Sequence, residues 1–372
     1  MDAPWTGWRQ TLVVALILTT VSVVSATSSL AASTTSPSTP LMVANVAGTS
    51  RLFVVSGFIE GCTYEPCLRL EETTDFGDHF TMLHLPALSY VAGNPLGNLR
   101  TLTFANAQDG YALLTQGSTT NLYVTLDGTR SWHRQQIATG LTTSQLVITH
   151  DRLYAVVAHC VAHHCEGYRV ARSALNAKTW KFNSVPTTLA KSGFSLAAYD
   201  QNVWLNVQAP RVALLYVSHD GGRVWTREPA RPLGSVSACG LTPESMTALW
   251  AQCPTGMLVS FFYSSNGGDH WSSVSRFEFS GTGGGAFDPV SPSRALLDYG
   301  NTAASEGRLY VVNEPGGRFV DVGKLVCVDI SNLVFTNARH GVVICDQNYS
   351  PASTQLLRSL DGGATWSRVK LP

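Results

Sequence analysis

Charge is what this sequence has least of. Asp, Glu, Lys and Arg make up 13% of its 372 residues, 25 basic against 25 acidic, and the formal net charge is zero. A general nucleic-acid binder needs a basic face to neutralise phosphates, so this balance excludes that class. Intrinsic disorder needs low hydrophobicity or high net charge and is excluded by the 44% of hydrophobic residues. Extended helical periodicity is missing from residue 41 onward, where β-branched residues are common and favour strands. No apolar run beyond the N-terminus is long enough to cross a bilayer, so no integral membrane domain is expected past that point. No cysteine precedes Cys62, which argues against a lipoprotein anchor near the start.

The N-terminus does carry an apolar run. "TLVVALILTTVSVVSA" (Thr11 to Ala26) follows Arg9, and Val24-Ser25-Ala26 supplies the small residues of a cleavage site. Residues 1–26 are therefore expected to be a signal peptide, with an uncleaved anchor as the alternative because Asp2 offsets Arg9. Residues 27–40 are rich in Ser, Thr and Pro, carry no charge, and read as a flexible linker. The expected location is secreted or extracytoplasmic, tethered if the segment stays uncleaved.

The remaining chain, 41–372, repeats. "TLDGTRSW", "SHDGGRVW", "SSNGGDHW" and "SLDGGATW" share a Ser/Thr start, an Asp or Asn two residues on, a glycine and a closing Trp. Weaker copies are "TTDFGDHF", "SALNAKTW" and "NEPGGRF". The closing aromatics fall at 80, 132, 180, 225, 271, 319 and 366, so the steps are 52, 48, 45, 46, 48 and 47. Between them lie short apolar strand-like segments such as "TLTFAN" and "NVWLNV", four per repeat. This period predicts an all-β fold, a seven-bladed β-propeller with four-stranded antiparallel blades. The key turn residues are Asp75, Asp127, Asp220, Asn266 and Asp361, with Trp132, Trp180, Trp225, Trp271 and Trp366 closing over the blade. A calcium loop needs six or more oxygens, and one Asp per motif is too few. The turn reading therefore stands, and no metal or cofactor is expected.

These motifs resemble the Asp-box, or BNR-repeat, family of propellers, and the resemblance covers the whole of 41–372. It implies that each motif is the turn between third and fourth strands. The strand order puts first-to-second and third-to-fourth connections on one face, and second-to-third and inter-blade connections on the other. In related propellers ligands bind the face opposite the Asp-boxes, so the resemblance points to that face.

Two connections there are distinctive. "GCTYEPC" (Gly61 to Cys67) and "HCVAHHC" (His159 to Cys165) follow the second strands of blades one and three. Eight cysteines in an exported chain favour disulfides, and the simplest pairing is local: Cys62 with Cys67, Cys160 with Cys165, Cys239 with Cys253, and Cys327 with Cys345. His159, His163 and His164 invite a zinc or copper reading, but oxidised cysteines cannot serve as thiolate ligands. The ligand-contact candidates are Tyr64, Glu65, Tyr90, His163, His164, Glu166 and Tyr349, aromatic, acidic or imidazole side chains on these connections.

The family includes sialidases and other glycoside hydrolases; a retaining or inverting glycosidase needs two carboxyl groups about the bond, and the resemblance implies for sialidases an arginine cluster, a Tyr nucleophile and a nearby acid. The acids expected on the binding face, Glu65, Glu71, Glu166, Asp298, Glu306 and Asp329, show no pairing in sequence. The Arg-Ile-Pro segment of sialidases is absent, and sialidases have six blades rather than seven. The chain is closer in type to single seven-bladed propellers of the photosystem II assembly and stability factor kind, without their basic patch. That resemblance implies a binding or assembly platform with a protein or glycan partner and no catalytic residues. A secreted glycoside hydrolase is the alternative.

Overall fold

The computed structural model describes residues 38–46, 49–57, 68–89, 96–117, 119–138, 140–161, 164–184, 194–209, 212–228, 233, 239–255, 258–278, 286–301, 306–315, 317–325, 327, 329–347 and 353–372. The expected signal peptide and nearly all of the linker lie outside these residues. The expected linker's last two residues, Thr39 and Pro40, are in the first strand.

Twenty-eight strands form seven antiparallel four-stranded sheets, each from four consecutive strands. This is the expected seven-bladed propeller. The inner strands are Thr39–Asn45, Leu99–Phe104, Thr142–Ile148, Phe194–Tyr199, Gly240–Pro243, Phe287–Ser291 and Asp329–Phe335. Inner strands of adjacent blades touch, among them those of the first and last blades.

Burial follows position within the blade. The second strand of blade one, Leu52–Gly57, is buried at every residue, because apolar layers from two neighbouring blades cover both its faces. Phe53 and Val55 face blade two, while Leu52 and Val54 face blade seven. The alternation of side chains along a strand thus feeds two seams at once. The outer strands are only three or four residues long in five of the blades, such as Thr81–Leu83 and Thr226–Glu228, and mostly exposed. Short outer strands leave little open edge for another chain to pair with.

An inner strand has a free edge toward the axis, and its backbone groups need partners. Side chains from neighbouring blades supply them. Gln145 accepts from the Leu196 N–H at 2.8 Å and donates to its carbonyl at 3.0 Å. Ser195 Oγ accepts from Leu241 N, Asp288 accepts from Phe335 N, and Asn332 Oδ1 accepts from Val43 N. These bonds cross from blade three to four, four to five, six to seven, and seven to one.

The repeated turns have one geometry. Ser359 Oγ donates to Asp361 Oδ1 at 2.8 Å and accepts from Gly363 N at 2.8 Å. Asp361 Oδ1 accepts from Thr365 N at 2.9 Å. The same three bonds recur in the turns holding Asp75, Asp127, Asp220 and Asn266. The fifth residue of each turn has positive φ, +94° at Gly363, which is why glycine recurs there. In blade two Thr129 takes that position at +70°. Gly362 N also donates to Arg339 O at 2.7 Å, and Gly128, Gly221 and Gly267 make the equivalent bond in their blades. The first-to-second and third-to-fourth connections therefore share a face.

Among the described residues two disulfides form as paired by position, Cys239 with Cys253 and Cys327 with Cys345. Each ties the residues leading into an inner strand to the second strand of the same blade. Cys62 and Cys67 lie outside the described residues. Cys160 and Cys165 are backbone partners in the strand register of blade three.

Candidate functional site

The ends of the inner strands converge on a recess at the axis. Its volume is about 640 Å³, and all seven blades line it. Six blades contribute the C-terminal end of an inner strand or the residue just past it, Asn45, Phe104, Thr149, Asp200, Glu244 and Thr336, while blade six contributes Asp288, Pro289 and Val290 from within its inner strand Phe287–Ser291. The recess opens on the same face as the repeated turns.

Its chemistry is acidic. Glu244, Asp288 and Asp200 line it, and no Lys or Arg is among its described lining residues. Among the described lining residues His150 is the one basic side chain, and its Nδ1 lies 2.8 Å from Asp200 Oδ1. Asp288 reaches sideways to the Phe335 N–H, part of the inter-blade belt. Glu244 comes from the first-to-second connection of blade five, where its own N–H bonds Ala248 O at 2.9 Å. No described residue donates a hydrogen bond to its carboxyl group.

Both carboxyls line the recess and are half-buried. Burial disfavours their charged forms. It raises Glu244 to about 8, with the charge of Asp288 adding to the effect. Burial likewise raises Asp288 to about 7, opposed by the hydrogen bond from Phe335 N. The two titrate as neighbours, so the upward direction belongs to the pair.

The turn face also carries apolar side chains. Tyr199 lines the recess and is exposed, Met246 sits two residues beyond Glu244, and Leu126, Val224 and Leu360 project from the outer turns. Asn202 Nδ2 donates to Met246 O at 3.0 Å, holding the blade-five connection against blade four.

No described candidate from sequence is among the residues that line the recess. Tyr64, Glu65, Tyr90, His163 and Tyr349 lie outside the described residues. His164 and Glu166 are in the third strand of blade three, His164–Ala174, paired with Val161 and His159. Glu166 is exposed, at the blade end away from the recess. Of the other acids, Glu71 is fully buried in blade one, where Ser56 Oγ donates to it at 3.0 Å and burial raises it. Asp298, Glu306 and Asp329 are in strands of blades six and seven. Among the described residues no three His, Cys, Asp or Glu side chains group as metal ligands. No described helix is long and apolar enough to cross a membrane.

Sequence reasoning missed Glu244 and Asp288. A signal existed: Ala105, Thr149, Glu244 and Thr336 all begin the turn after the inner strand, each N–H bonding a carbonyl across that turn. Glu244 is the charged member of that series.

No family model and no curated protein sequence matches the chain. Solved structures do. YCF48 bound to a D1 peptide superposes with TM-score 0.53 at 14% identity, covering 87% of this chain and 92% of that one. YCF48 from Cyanidioschyzon merolae gives TM-score 0.55 at 14% identity, covering 87% and 96%. A puromycin hydrolase S511A mutant complexed with PGG gives 0.60 at 12% identity, covering 90% of this chain but 54% of that one. At such identities the likeness is one of fold, shared by proteins that bind and proteins that hydrolyse.

Proposed function

We propose that this chain is an exported binding propeller that receives part of a protein partner and catalyses no reaction, its repeated turns being Asp-boxes. The observation that carries this reading is the recess itself, a concave site to which all seven blades contribute. A peptide-bound propeller of similar length, the YCF48 structure with its D1 peptide, supports the peptide over the glycan arm of the proposal. Export draws support from the N-terminal apolar segment and from the two disulfides, which persist in oxidising compartments. The connections bearing Cys62, Cys67, Cys160 and Cys165 would give a second contact surface on the opposite face. The test is in-cell crosslinking from photoreactive residues placed at Tyr199 and at Tyr64, followed by identification of the adduct. A protein adduct from either position upholds the reading and names the face; adducts from neither defeat it.

A second reading, glycoside hydrolysis, is favoured by one feature, the carboxyl pair Glu244 and Asp288 in a recess. Two carboxyls at a sugar-sized cleft are the minimum for that reaction. Turnover of aryl-glycosides by the purified chain, lost in both Glu244→Gln and Asp288→Asn, would establish it. We expect no turnover.

A further inference from the structure

We propose that the recess on the turn face receives a cationic side chain, a lysine or arginine projecting from a segment of the partner protein. The proposal rests on the partner-binding reading and specifies the chemistry of its contact.

Charge complementarity is the first reason. Three carboxyl groups from blades four, five and six line the recess, with no described Lys or Arg among them. The His150 imidazole is already held by Asp200 at 2.8 Å. A neutral or anionic group entering here would bring these acids no counter-charge, whereas an ammonium or guanidinium would stabilise their ionised forms and be drawn in.

Unfilled hydrogen-bonding capacity is the second. Asp288 uses an oxygen on the Phe335 N–H, but the Glu244 carboxyl receives no donor from any described residue. A half-desolvated carboxyl without a donor is costly, and an incoming N–H supplies both the proton donor and the charge. Burial has pushed both groups toward their protonated forms. A cation reverses that shift, so binding near neutral pH expels protons from the recess.

Size and surroundings are the third. About 640 Å³ accommodates a long side chain with accompanying waters, more than a bare ion needs. Exposed Tyr199 lines the recess, and exposed Met246 lies two residues past Glu244 on the same connection. Such side chains suit the residues beside the cation on a peptide, and the Tyr199 ring adds a face for a guanidinium.

The experiment selects displayed random peptides on the purified chain, then measures one enriched peptide by calorimetry. The expected consensus holds one Lys or Arg. Replacing it by norleucine or citrulline, or using the Glu244→Gln protein, is expected to weaken binding at least tenfold. Affinity should fall with added salt. Between pH 6 and 8 binding should release protons, seen as heats that vary with the buffer's ionisation enthalpy, and Glu244→Gln should reduce that release. Asp288, Asp200 and His150 face the same space and account for any release that remains. An unchanged melting temperature of Glu244→Gln separates loss of contact from loss of fold. Should that variant fold poorly, Tyr199→Ala with the salt and proton measurements on the unaltered chain still decides. Enriched peptides lacking a cation, or bound equally well by Glu244→Gln, overturn this inference and leave partner binding standing. Spermidine or calcium competing at the peptide's own affinity overturns the peptide occupant. A selection that enriches nothing overturns this inference, and the crosslinking from Tyr199 and Tyr64 then decides partner binding on its own.

Discussion

Arg358, in the last blade, donates through one Nη1 to Asp78 Oδ1 at 2.6 Å and to the Phe76 carbonyl at 3.2 Å, both in the first blade. These bonds cross the one seam where no chain connection joins the blades. Each terminal blade is complete in itself, so no shared strand closes the ring. Side chains do it. Val43 N bonds Asn332 Oδ1 at 3.3 Å, and Leu52, Val54 and Phe76 pack with Val342, Ile344 and Val369. Gly77 has φ +98°, and a Cβ there would stand 2.6 Å from Val369, so the first blade's turn fits against the last strand only as glycine.

Replacing Arg358 with alanine should therefore destabilise the ring by about 1–2 kcal/mol, because a largely buried charged donor is lost from two acceptors. Asp78→Ala should cost less, under about 1 kcal/mol, since the Asp78 side chain is 57% exposed and its attraction is screened. Thermal unfolding followed by circular dichroism ranks the two. Equal effects would mean that the Phe76 carbonyl contact contributes nothing.

The turn carboxylates should make the fold acid-sensitive. Hydrogen bonds from Thr365 and Ser359 hold Asp361 down to about 2, and bonds from Ser131 and Thr125 do the same for Asp127. A lowered folded pKa contributes stability that is present above the unfolded value of about 4 and is lost as pH falls toward 2. Urea midpoints between pH 6 and 2 should drop along that range. Asp361→Asn keeps the backbone acceptor and should flatten part of the slope.

Glu244 and Asp288 act in the opposite sense. Their folded pKa values stand above the unfolded ones, so the favourable contribution is complete below about pH 4 and is lost as pH rises through 7 and 8. Without ligand, the chain should be more stable at pH 6 than at pH 9. Glu244→Gln should remove part of that difference and leave the acid limb below about pH 4 unchanged. A melting temperature indifferent to pH across this range in the unaltered chain would contradict the burial of the pair.

The Cys239–Cys253 disulfide spans 14 residues, and loss of its loop constraint on the unfolded chain is expected to cost about 3 kcal/mol. The double variant Cys239→Ser/Cys253→Ser should melt well below the oxidised chain, and dithiothreitol should lower the melting temperature of the parent but not through this pair in the variant. Peptide mapping of the oxidised protein should also recover Cys62 with Cys67 and Cys160 with Cys165.

Blade number and turn position were legible in the sequence because their chemistry is local. Ser359 reaches Gly363, and Asp361 reaches Thr365, within one turn of chain. The alternation that makes Leu52 and Phe53 face different seams is equally local, as are the two disulfides, each within a blade. Glu244 was not legible as a site residue, for it looks like an ordinary polar residue at a strand end. Asp288 looks like any acid beside a proline. Their meaning depends on blades five, six and seven standing around one axis, which strips water from both carboxyls and sets Phe335 N against one of them. The inter-blade belt of Gln145, Ser195, Asp288 and Asn332 was hidden for the same reason. From sequence alone come the strands, the repeat and the turn chemistry, since hydrogen bonds a few residues apart need no knowledge of the rest. The tertiary structure alone decided where the recess lies and which acids share it, because desolvation and charge coupling are properties of the space between blades.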